Sequence, residues 1–135
     1  MAREMAVLAE AGQRLDGQKA SSRPVDLVDL SRYTLGERDL EREVLELFCT
    51  QSFVYLERLK ASSSDKDWKD LTHSLKGSAR AVGAWRVADA AERAERAEPL
   101  AGDALAPSRA ARIGEIDASL READAYIRSL LQDAQ

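Results

Sequence analysis

Apolar side chains recur along this chain at intervals of three and four residues, the repeat of one face of an α-helix, and five or six segments carry the pattern. The first runs from Ala2 to about Leu15, where Met5, Leu8, Gly12 and Leu15 form a thin stripe. A polar run with Gly17 and Pro24 then breaks the period. Residues 1–24 are therefore expected to be an extension, weakly helical and then a polar linker, ahead of a domain spanning 25–132. A short helix is predicted from Asp26, with Leu27, Leu30 and Tyr33 or Thr34 facing inward and Gly36 as a left-handed cap.

The spacing predicts a long helix from Glu37 to about Lys60, with Leu40, Val44, Leu47, Phe48, Tyr55 and Leu59 as its stripe. Ser64 or Asp65 is placed to cap the next helix, whose buried positions are expected at Trp68, Leu71, Leu75, Ala79 and Val82 as far as a break at Gly83. From Ala84 to about Glu98, Trp85, Ala88, Ala91 and Ala94 share one side, and residues this small allow close helix packing. Pro99, Gly102 and Pro107 mark a loop, and a last helix is predicted from about Ser108 to Leu131 through Ile113, Ile116, Leu120, Ala123, Ile127 and Leu130. Four long amphipathic helices with short connections predict an all-α fold, an antiparallel up-down-up-down four-helix bundle with a short leading helix.

Composition agrees with that class. Ala and Leu supply 40 of the 135 residues against 10 for Val and Ile, and aromatic residues number seven, so helices are favoured and strands are not. The length suits one hydrophobic core. No apolar run approaches a membrane span, and Met1-Ala2-Arg3-Glu4 lacks the order of a secretory signal, so the chain reads as cytoplasmic with no membrane partner. A net charge of -4 argues against nucleic acid, which needs a basic excess. Cys49 is the only cysteine and His73 the only histidine, which excludes an internal disulfide, a cysteine-based zinc site and a multi-histidine metal centre. Cys49, beside Phe48 in an apolar pattern, reads as packing.

His73 does not belong to the apolar stripe. At 100° per residue it lies about 200° from Leu71 and Leu75, so its ring is expected to face solvent. Lys76, Gly77 and Arg80 follow it at spacings of three, four and seven, with Lys69 one turn earlier. Between Lys60 and Arg86 there are six basic and three acidic residues, a basic stripe inside an acidic protein. Gly77 adds to the signal, because a glycine inside an exposed helix costs about 1 kcal/mol relative to alanine and implies the close approach of something else, here one turn from the imidazole. A neutral imidazole on an exposed ridge is a nucleophile toward phosphorus, and the Lys76 ammonium is placed to stabilise the oxygens of a phosphoryl group in transfer.

The string His73-Ser74-Leu75-Lys76-Gly77-Ser78-Ala79-Arg80-Ala81-Val82-Gly83 resembles the signature of histidine-containing phosphotransfer (HPt) domains: His-x-Leu/Ile-Lys-Gly-small-small, with a second glycine ten residues after the histidine. The resemblance extends from about Val25 to Leu131. It implies a monomeric bundle whose His73 accepts a phosphoryl group from the aspartate of a receiver domain and passes it to another. Receiver domains of response regulators, or of a hybrid histidine kinase, are the implied partners. Lys76 maps to the phosphoryl-stabilising lysine and Gly77 to the clearance position. Ser78, Arg80 and Lys69 are candidates for partner approach, and Gly83 is expected to end the helix rather than to touch phosphate. The resemblance further implies a carrier without ATPase or kinase activity and without a cofactor of its own, the Mg2+ coming from the receiver. Two other readings stay open: a substrate module phosphorylated in trans by a chemotaxis-type kinase, and a helical docking module without phosphotransfer.

Overall fold

The computed structural model describes residues 23–97 and 106–133, and these form five helices: α1 (Leu27–Thr34), α2 (Arg38–Ala61), α3 (Asp65–Ala81), α4 (Trp85–Glu95) and α5 (Ala106–Asp133). The helix expected over Ala2 to Leu15 lies outside the described residues. Each of α2 to α5 packs on its predecessor, and α5 returns to α2, which closes an antiparallel four-helix bundle; α1 lies against α2. No described residue is in a strand. No helix of the described residues is long and apolar enough to cross a membrane.

The helix ends follow local chemistry. Asp26 accepts from the Val28 amide at 3.1 Å and opens α1, and Ser64, rather than Asp65, accepts from the Asp67 amide at 3.1 Å and opens α3. The left-handed turn after α1 starts one residue earlier than predicted: Leu35 has φ 56° and Gly36 φ 78°. An exposed leucine held there costs about 1–2 kcal/mol, offset locally by amides of Leu35 and Gly36 that both reach the Ser31 carbonyl. Pro107 is not in a loop but in the first turn of α5, where a missing amide hydrogen leaves no intrahelical bond unmade.

Phe48, Leu56, Leu59, Trp68, Leu75, Ile116, Leu120 and Ile127 fill the centre, and α4 contributes Val87, Ala88, Ala90, Ala91 and Ala94. The face of α2 differs from the predicted stripe. Leu45, Cys49, Ser52 and Leu56 are buried, whereas Leu40 is exposed and Val44, Leu47 and Tyr55 are half-buried. Apolar residues stand on two adjacent registers of this helix, so spacing alone does not choose between them. Cys49 is packed as expected. Burial, followed by a hydrogen bond with Asp124 and its charge, pushes the thiol up to about 12, so it remains protonated near neutrality.

Gly83 shapes the bundle end on which the site helix terminates. It has φ 77° and completes a Schellman turn in which the Ala84 amide reaches the Ala79 carbonyl at 2.8 Å. Its own carbonyl accepts from the Asp26 amide at 2.9 Å, which ties the chain entering α1 to the α3–α4 turn.

Candidate functional site

The inward face of α3 is set by Trp68, Thr72, Leu75 and Ala79, all buried. Thr72 is included because its hydroxyl donates to the Trp68 carbonyl at 2.8 Å and needs no solvent. Leu71, expected inside, is half-buried. Measured from the middle of this stripe, His73 lies about 130° round the helix. Its side chain is 48% exposed, and it leans toward α4 rather than standing free on a ridge.

The reason is Glu95, the last residue of α4. One carboxylate oxygen lies 2.8 Å from His73 Nδ1, and the other accepts from Lys76 Nζ at 2.6 Å. A single carboxylate therefore joins the two residues that the motif places one turn apart. Burial pushes the Glu95 carboxyl up, but the hydrogen bonds from Lys76 and His73, with their charges, together outweigh it and leave the group below the usual carboxylate range. An ionised carboxylate only accepts, so the His73 proton in this pair resides on Nδ1. Whenever the ring is neutral, its lone pair is then on Nε2.

The basic stripe is less open than its sequence suggested. Lys76 is only 13% exposed, paired with Glu95; Arg80 approaches Glu92 at 3.7 Å, and Lys66 donates to Asp70 at 2.8 Å. Lys69 is exposed. Gly77 and Ser78 are buried, which corrects their placement on a surface open to a partner: the Ser78 hydroxyl turns inward and donates to the Ser74 carbonyl at 2.9 Å. Gly83, as expected, ends the helix. Glu95 was not among the sequence candidates. It lies 22 residues from His73, beyond the reach of a within-helix spacing rule. One signal did exist: an acid in the last turn of a helix opposes the macrodipole, and such a carboxylate points to a cationic partner elsewhere.

A wholly helical bundle with one half-exposed imidazole on its wall, clamped by a carboxylate beside an ammonium, defines a module built around a single histidine and not around a pocket. A family model described as Hpt domain matches residues 43–134, well over half of the chain, and the chain belongs to that family. Its role is accordingly phosphotransfer in two-component signalling, as a phosphocarrier. No curated protein and no solved structure matches it.

The lowered carboxyl gives a stability prediction. A group depressed in the folded state stabilises above its unfolded pKa, and that contribution is lost as pH falls through the folded value. Glu95→Gln is expected to lower stability by about 0.5–1 kcal/mol at pH 7, the range for a partly exposed pair. The gap from wild type should close as acid protonates Glu95. Urea unfolding of both proteins at neutral and acid pH checks this, and a gap independent of pH would contradict it.

Proposed function

We propose that this protein is a phosphorelay intermediate in which His73 Nε2 takes a phosphoryl group from the aspartate of one receiver domain and yields it to another. The observation that carries the reading is the Glu95 carboxylate shared between His73 Nδ1 and Lys76 Nζ. In the step, the Nε2 lone pair forms the N–P bond as the bond from phosphorus to the aspartyl oxygen breaks, and the receiver's carboxylate leaves with that electron pair. The Nδ1 proton stays in place. The ring gains positive charge as the bond forms, and Glu95, bound to that proton, offsets it. The Lys76 ammonium has three N–H groups, so while one is held by Glu95 the others remain to donate to incoming phosphoryl oxygens. Return of the group reverses each movement.

On this reading the magnesium ion and the acidic residues of the reaction belong to the receiver, and Lys69 and Arg80 are charged rim contacts for it. Gly77 and Ser78 act from inside the helix packing, as small residues that keep the wall beside the ring low. The test is incubation with a receiver carrying labelled aspartyl phosphate, without ATP. Label should appear on this chain in an acid-labile, base-stable bond, the behaviour of a phosphoramidate. Labelling by an ATP-bound kinase domain with none from any receiver would overturn the relay reading in favour of the substrate module.

A further inference from the structure

Glu95 can join His73 to Lys76 only if the last turn of α4 is held at the right depth and rotation against α3. Helix ends fray, since their final carbonyls lack intrahelical partners. At this end, however, one carbonyl is fixed from outside. Trp68, 1% exposed and one and a half turns before His73 on α3, donates its indole Nε1–H to the Ala94 carbonyl at 2.7 Å. That carbonyl also accepts from the Ala97 amide at 3.1 Å, so both its lone pairs are used. Ala94 immediately precedes Glu95. The indole is itself held: the Arg109 guanidinium of α5 lies 4.4 Å from the ring centroid and donates to Asp65 at 2.8 Å. Stacking of this kind, with the cation fixed at its far side, restricts the tilt of the ring.

We propose that Trp68 is a positioning residue for phosphotransfer: its N–H, braced by Arg109, anchors the end of α4 and so keeps Glu95 between His73 Nδ1 and Lys76 Nζ. The carboxylate in turn selects the Nδ1–H tautomer, against the Nε2–H form that free histidine favours, and leaves Nε2 as the nucleophile. This rests on the relay reading for its consequence, but its first consequence is a property of the unphosphorylated protein alone.

Trp68→Phe retains an aromatic ring under Arg109 and removes the donor. Nitrogen NMR of the His73 ring, recorded without any receiver, should show the Nδ1–H fraction falling toward that of free histidine. The rate of transfer from a labelled receiver should fall about 3- to 10-fold, the loss for one buried hydrogen bond, at an unchanged half-saturating receiver concentration. Trp85→Phe is the control, since Trp85 is also buried but opens α4 ten residues before Glu95. It should lower stability and leave the tautomer ratio alone. If Trp68→Phe does not fold, Arg109→Gln, which releases the ring while keeping the indole, should shift the ratio in the same direction by less. An unmoved ratio in the folded variant, or an equal shift in Trp85→Phe, would overturn the proposal. The ratio is read before any transfer, so a shifted ratio with no transfer from any receiver would refute the relay reading while leaving the anchoring of Glu95 standing.

Discussion

Replacing His73 with glutamine is expected to reduce phosphotransfer to background while the bundle remains folded. The side chain is half-exposed and contributes to no part of the core, so its removal creates no cavity. A glutamine amide N–H can still donate to the Glu95 carboxylate, which is not left without a partner. Stability should therefore stay within about 0.5 kcal/mol of wild type, as for surface substitutions generally. Chemistry is different: an amide nitrogen has its lone pair delocalised into the carbonyl and does not attack phosphorus. With no second histidine in the 135 residues, no neighbouring imidazole can substitute. The measurement pairs label transfer from an aspartyl-phosphorylated receiver with thermal unfolding followed by circular dichroism. Transfer persisting in the folded variant would sink the assignment of His73.

What residue spacing reveals of this protein depends on the range of the interactions. Spacing alone separates His73 from the core face, because a helix turns by a fixed angle per residue, and the ring is half-exposed even though the reference residue Leu71 is only half-buried. The small-residue face of α4 was equally readable, since Ala88, Ala91 and Ala94 recur every three residues and all are buried. The site's electrostatics were not readable in this way. A local count of charges between Lys60 and Arg86 gives a basic stripe, but Glu92 and Glu95 come from the next helix and meet Arg80, Lys76 and His73 across the α3–α4 contact. Such pairings are fixed by the relative rotation of two helices, which no single-helix pattern specifies. The burial of Gly77 and Ser78 has the same origin: both are small, and small residues serve close packing as readily as access.

That ambiguity also attends the second motif glycine, and here the geometry resolves it into a strong expectation. Gly83→Ala should be severely destabilising, by about 3–5 kcal/mol, a large fraction of the total stability of a domain this size. A Cβ at Gly83 would stand 1.7 Å from the Asp26 carbonyl oxygen and 2.7 Å from its carbon. Both are backbone atoms, which no rotamer change can move aside. The φ of 77° adds strain of about 1–2 kcal/mol for any residue with a Cβ. Relief would require Asp26 to retreat, breaking its 2.9 Å hydrogen bond to the Gly83 carbonyl and drawing buried Val25 and Leu30 from the core. Two other glycines separate these contributions. Gly36 has a similar φ of 78° with nothing within 4 Å of an added Cβ, so Gly36→Ala should cost only the backbone strain. Gly114 is helical with equally open space, and Gly114→Ala should stabilise by about 0.5–1 kcal/mol. Urea unfolding of the three variants should order them Gly83→Ala, Gly36→Ala, wild type, Gly114→Ala from least to most stable. If Gly83→Ala cost no more than Gly36→Ala, the Asp26 backbone would have to be free to move away, and the tie between the start of α1 and the end of the site helix would be dispensable.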